Sequence, residues 1–320
     1  MNFFTKITEL LTPKRYGYYP ENLHRQALPF LAHLNAGDLK SALSLFQQVT
    51  PEDRPYLVEA LSDLVTEDDF YDKWFDNSNG PEEICLLRGS LLLVRAWHYR
   101  GWGRGEDVDQ AAGEKMHETL KAAESSLLPL LELPDYGQNA AARLIRISMG
   151  LEEPIEQTQI YLKRLREFER PHMFGEHNYM VAVCEKWSGS HQEMFEFARA
   201  TIKHYDQHPH MGGLIALAHF ERQLFFDNFD EDKIGGEAYR ADKSVLNEVL
   251  VQSERLLALK QTAALENVFA HNAMAAFFAD RDDFERAEPH FKSMRKRVTR
   301  FPWSFYYPSF LHEAYNVSML

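Results

Sequence analysis

The sequence predicts an all-α chain, a superhelix of antiparallel helix pairs built from divergent tetratricopeptide-like repeats, on three observations. Apolar residues recur at helical spacing almost throughout, strand-like alternation is scarce, and the stripes are separated by short breaks rich in Gly, Pro and capping residues. Many short turns between stripes favour antiparallel neighbours.

Taken in order, Phe3, Phe4, Ile7, Leu10 and Leu11 suggest a short amphipathic N-terminal helix, interrupted by Lys6 and Glu9. Leu39, Ala42, Leu43, Phe46 and Val49 fall at i, i+3, i+4, i+7 and i+10, so they line one helix face that must be buried. Thr50 with Asp53, and Ser190 with Glu193, have capping-box spacing, and Pro51, Pro81 and Pro154 suit first helical turns. Further stripes are Ile155, Leu162, Leu165 and Phe168, then Met194, Ala198, Ile202 and Tyr205, before a stop at Pro209. The segment from Asp227 to Gly236, acidic and ending in a Gly pair, is expected to be a long loop or a domain break. Phe284, Ala287, Phe291, Met294 and Val298 form the last long stripe. The tail from about residue 301, with Phe301, Trp303, Phe305, Tyr306, Tyr307 and Phe310, is too aromatic for a solvated linker and is expected to cap the stack. The whole is expected to be a single domain over 1–320.

Composition limits the function. The 48 acids against 35 Lys and Arg give a net charge of -13, which disfavours nucleic acid and anionic lipid and favours a basic partner. Two widely separated cysteines, Cys85 and Cys184, fit buried thiols in a reducing compartment, and no apolar run is long enough to span a membrane. A cytoplasmic setting is expected.

In this acidic chain Arg95, Arg100 and Arg104 form a basic island interleaved with Trp97, His98, Tyr99 and Trp102. Guanidinium forks and indole faces can hold a carboxylate, a phosphate or an acidic peptide, and the same residues can equally pack and pair internally. His219, Glu221 and Arg222 could form a polar cluster facing Trp187, or an ion pair that fixes helix register. Gly101, Gly103 and Gly105 do not follow a strand, and Glu106 and Asp107 would repel a phosphate, so a nucleotide loop is disfavoured. His204, His208 and His210 lack the glutamate of a zinc-protease helix and suit a helix end. Ser190, beside Ser188 and His191, is explained as a cap, so no nucleophilic site is implied. Lys292, Arg295, Lys296, Arg297 and Arg300 fit the end of the last long helix. No cofactor motif and no metal set stands out.

Phe278, Ala287 and Phe291, with a weaker echo at Gly37, Ala42 and Phe46, resemble the tetratricopeptide pattern of a small residue at a close approach and an aromatic one turn later. Three blocks resemble a group of bacterial tetratricopeptide-like proteins of unknown function. They are Leu86-Leu87-Arg88-Gly89 running to Ala96-Trp97 and Arg100-Gly101-Trp102-Gly103, then Glu185 to Phe195, then Ala218-His219-Phe220-Glu221-Arg222. The resemblance implies a helical fold and a bacterial cytoplasm, and carries over no activity.

The expected function is a non-catalytic scaffold for a protein or peptide partner, conceivably a neutraliser of a basic protein such as a toxin. The alternative is an enzyme or sensor for an anionic metabolite. The residues proposed to carry either are Arg95, Trp97, Arg100, Trp102, Arg104, Trp187, Glu221 and Arg222. The two readings separate on whether Arg100, Trp102, Trp187 and Arg222 converge in a closed cavity without carboxylate partners, which favours the small ligand, or are each paired with Asp or Glu, which removes it.

Overall fold

The computed structural model describes residues 16–65, 80–101, 103–259 and 264–319, and every regular element among them is helical. The N-terminal amphipathic stripe lies outside the described residues. Four helices, α1 (Pro20–Leu23), α2 (Ala27–Asn35), α3 (Leu39–Gln47) and α4 (Arg54–Leu64), precede the long hairpin of α5 (Glu82–Arg100) and α6 (Gln110–Leu127). Then follow α7 (Gly137–Gly150), α8 (Ile155–Arg166), α9 (Met173–Ala182), α10 (His191–His204) and α11 (Gly213–Phe225). The chain ends with α12 (Lys233–Arg240), α13 (Lys243–Leu257), α14 (Leu265–Ala279), α15 (Phe284–Met294) and α16 (Phe310–Ser318). No helix among the described residues is long and apolar enough to cross a membrane.

Helix pairing follows the sequence stripes. In the α5/α6 hairpin, Arg88 donates to Ser126 at 2.5 Å while Lys115 sits 4.0 Å over the Tyr99 ring, so the start of one helix meets the end of the other. Gly89 permits this approach, since a Cβ there would lie 2.5 Å from Leu127 Cγ. Ala42 and Phe46 are fully buried, as are Phe278, Ala287 and Phe291 at the α14/α15 contact.

The helices sort into two rows by burial. Helices α7, α9, α11 and α14 are buried along most of their length, polar residues included, whereas α6, α8, α10, α13 and α15 bury only one stripe and form an outer row. The inner helices run parallel. At one end, Leu265 N donates to Asp53 (3.1 Å), Met173 N to Glu266 (2.9 Å) and Asn139 to the Pro51 carbonyl (2.9 Å). At the other end Lys186, just after α9, meets Glu221 of α11 (2.5 Å), and Asp280, just after α14, meets Arg240 at the end of α12 (3.1 Å). Asp53 and Glu266 thus sit at helix starts, whereas at the other end the acids Glu221 and Asp280 are each matched by a cation. The row closes on itself, because α4 packs against α5 and also brings Tyr56 to 6.2 Å from Phe269 of α14.

The aromatic tail runs across this inner row. Phe301 lies against His177 of α9 and Phe220 of α11, at 5.0 and 5.4 Å between ring centres. Trp303 Nε1 and Thr299 N both donate to Asn272 Oδ1 of α14, while Asn272 Nδ2 donates to the Val268 and Arg297 carbonyls. Arg300 N donates to Glu59 and its guanidinium meets Asp63, both on α4. One segment thus touches α4, α9, α11 and α14, and fills the space the inner helices enclose.

Several local expectations differ. Residues 227–236 are not a long loop: a wide, π-helical turn at Phe226–Asp230 is followed by α12, capped by Asp232 on Gly235 N at 2.9 Å. Arg240 ties this segment to Asp227 and Asp280, which the local acidity concealed. The Thr50/Asp53 box does not form, since Asp53 makes no side-chain cap and is used instead by the Leu265 amide. Ser190 does cap α10, accepting from Glu193 N at 3.1 Å. The basic run ends α15 only at Lys292; Arg295, in a left-handed conformation at φ 56°, stops the helix. Pro209 both follows the stop and opens a short helical turn, Pro209–Gly212, leading into α11.

Candidate functional site

The most unusual chemistry lies on the rim formed by the C-terminal ends of the inner helices. The last turn of α5 carries Trp97 and Arg100, and Trp97 meets Trp187 edge to face at 5.8 Å. Trp187 sits in the turn after α9, and Gly150 leaves space for Trp97, since a Cβ at that position would lie 3.2 Å from Trp97 Cζ2. From α7, Arg146 stacks 4.1 Å from the Trp97 ring centre. Arg100 lies 5.9 Å from Trp97 and 5.6 Å from Trp187.

Two guanidinium groups therefore share one indole. Arg100 donates to the Gly103 carbonyl (2.9 Å) and more weakly to that of Gly101 (3.4 Å), and Arg146 has only the Met149 sulfur at 3.7 Å. Among the described residues neither forms a salt bridge. Burial lowers Arg146 to about 10 against the raising effect of Glu221 and, after it, Cys184, and the charge of Arg100 is the smallest contribution. Glu221 is 4% exposed and already bonded to Lys186. The indole N–H groups of Trp97 and Trp187 are buried without an acceptor.

The remaining expected residues do not join this cluster. Arg95 donates to the Tyr99 hydroxyl at 2.7 Å. Arg104 pairs with Glu231 (3.1 Å) and bonds the Asn228 carbonyl, anchoring the turn after α11. Arg222 bonds His191 at 2.6 Å, faces Asp230 at 3.7 Å and stacks on Phe226 at 3.9 Å. Trp102 lies outside the described residues. His219 points elsewhere, bonding the Tyr239 hydroxyl (2.5 Å) and Glu248 (3.2 Å), so the proposed His219–Glu221–Arg222 cluster is split between two faces of α11.

No protein-family profile, curated protein or solved structure matches this chain. The tetratricopeptide-like resemblance rests on its sequence blocks alone, and the chemistry must be argued from the geometry.

A cleft of about 460 Å³ between α10 and α13 contains His219, Tyr239 and Glu248, but its charges are satisfied. Bonds from His219 and Arg199 hold the Glu248 carboxyl at about 2, and Arg199 grips it with two bonds of 2.7 and 3.0 Å. The network clasps α10, α11 and α13 together. Among the described residues no group of three or more His, Cys, Asp or Glu is placed to hold a metal ion, and His210 faces Glu266 at 3.4 Å, apart from any such set.

Unsatisfied donors, rather than acids, bases or nucleophiles, define the rim site. Two guanidinium groups lie against one indole without a salt-bridge partner among the described residues, an arrangement suited to binding an oxyanion. Arg146 escaped the sequence reading because it sits within the apolar run Ala140 to Met149, far from the basic island. The available signal was a pair of arginines, Arg143 and Arg146, set among Ala140, Ala141, Ala142, Leu144, Ile145 and Ile147, all of them buried.

Proposed function

We propose that this chain is a non-catalytic binding scaffold, a tetratricopeptide-like stack of helix pairs that receives an anionic group of a protein or peptide partner between Arg100 and Arg146. The observation that carries this reading is the pair of guanidinium groups at 4.1 and 5.9 Å from one indole without a carboxylate. Two like charges so placed repel each other, and an incoming anion relieves that repulsion. The enclosed face of the inner row is filled by the chain's own Phe301 to Tyr306 segment, which moves the expected contact from groove to rim. A basic partner, favoured by the net charge of -13, would have to meet another surface. Two buried thiols, Cys85 and Cys184, fit a cytoplasmic setting.

The alternative, a sensor or enzyme for a small anionic metabolite, draws on the desolvation of Arg146. Affinity capture from the source cell separates the two. The native chain should retain a macromolecular partner, and Arg100→Ala/Arg146→Ala, verified as folded by circular dichroism, should bind it about 100-fold more weakly. Arg104→Ala, which removes an internally paired cation, should bind normally. Retention of the partner by the double variant would sink the rim site, and recovery of only a small anion would favour the sensor.

A further inference from the structure

We infer that the cleft between α10 and α13 is a second binding site, which takes an arginine side chain of a basic partner in the place now held by Arg199. It uses neither Arg100 nor Arg146 and so goes beyond the rim. The geometry of the present occupant carries the inference. Arg199 reaches from α10 across the cleft and makes two bonds to the Glu248 carboxylate of α13, at 2.7 and 3.0 Å. Its guanidinium carbon lies 5.1 Å from the Phe195 ring centre. Even so bonded, the Arg199 side chain is 54% exposed, and an ion pair this open shifts an equilibrium by no more than about fivefold. An incoming guanidinium can therefore take over both bonds and the ring face against weak competition.

The carboxylate is held ready from below. Glu248 is ionised and can only accept, so His219 Nε2 donates to it (3.2 Å), and the other nitrogen of the neutral ring accepts from the Tyr239 hydroxyl (2.5 Å). His219 is 3% exposed, and its burial keeps the ring neutral. The carboxylate thus keeps its orientation whether or not Arg199 is on it. About 460 Å³ of space adjoins it, walled by the Phe195 and Tyr239 rings. Among the described residues Arg199 and Glu248 are the only charged groups lining this space, so with Arg199 turned outward one negative charge remains. A single cation neutralises it, and the net charge of -13 draws basic chains towards the protein. Lys203 and Arg255 line the neighbouring cavity instead, where Arg255 is bonded to Asp206 at 2.6 Å. Arginine is favoured over lysine, because its planar fork matches both carboxylate oxygens and stacks on an aromatic ring.

The test is a titration of the native, full-length chain followed by the Val245 methyl resonances, assigned with Val245→Ile, since Val245 lines this space and not the neighbouring one. Three tripeptides blocked at both ends serve as probes, with arginine, lysine or citrulline between two glycines; citrulline has nearly the shape of arginine without its charge. A saturable shift is expected with the arginine peptide at a dissociation constant of about 1 mM. The lysine peptide should bind more weakly, and the citrulline peptide at least about tenfold more weakly. Arg199→Ala, which removes the competitor, should tighten arginine binding by up to about fivefold. Glu248→Gln should weaken it at least about tenfold. Circular dichroism checks that both variants are folded, and the citrulline comparison needs no substitution. No saturable shift in the native chain, an equal response to citrulline, weaker binding in Arg199→Ala, or unchanged binding in Glu248→Gln overturns the inference. The readout is the cleft itself, so its failure leaves the capture experiment at Arg100 and Arg146 standing, and failure of that experiment leaves the cleft standing.

Discussion

Replacing Asn272 with Ala is expected to lower stability by about 3–5 kcal/mol, the largest effect of any single substitution considered. Its side chain is fully buried and makes four bonds, accepting from Thr299 N and Trp303 Nε1 and donating to the Val268 and Arg297 carbonyls. Removing it orphans the Trp303 indole, the Thr299 amide and the Arg297 carbonyl in the interior. The loss should appear as a melting temperature lower by roughly 5 °C. Because Asn272 holds the segment that also meets Glu59, His177 and Phe220, amide exchange should rise through residues 297–306 and in α4. Exchange confined to α14 would show that the tail does not bind the inner row together.

Stability should fall steeply in mild acid. Burial holds His172 and His177 at about 3 and His24, His210 and His271 at about 4, with Arg143 and Arg146 adding to the first two. In the unfolded chain these imidazoles titrate near 6.5, so as pH falls below that value the unfolded state takes up protons the native state refuses. Burial acts oppositely on two carboxyls, raising Glu59 to about 7 and Glu266 to about 8. Both stay protonated in the native state and ionise above about 4.5 when unfolded, so their contribution is lost as pH rises through 7 to 8. Around pH 5.5 the unfolded chain holds an excess of about three protons, which is a slope of about 4 kcal/mol per pH unit. Thermal melts from pH 4.5 to 8.5 should peak near neutrality and collapse below about pH 6. A flat profile between pH 5 and 7 would contradict the buried, neutral state of these histidines.

The all-helical class was legible because periodicity is local. The stripe through Ala42 and Phe46, the Ser190 cap and the Phe278/Ala287/Phe291 contact each follow from a few adjacent residues. Features built by distant pairs were not. Asp53 looks like part of a capping box, yet its carboxylate serves an amide more than two hundred residues away. The acids of 227–236 suggest a solvated loop until Arg104 and Arg240 are brought to them. The rim site was half visible: Trp97, Arg100 and Trp187 were singled out, Arg104 and Arg222 turned out to be paired at home, and Arg146 was hidden among buried apolar residues.

The central claim is that Arg146 is kept for binding rather than for packing, and the thermal stability of Arg146→Met tests it most directly. Methionine retains much of the apolar contact with Trp97 while removing an unpaired, desolvated cation repelled by Arg100. The melting temperature should therefore be unchanged or higher, as for residues held against stability by function. A loss of more than about 2 kcal/mol would show instead that the guanidinium is a structural member of the fold, and the rim would lose its claim to a ligand.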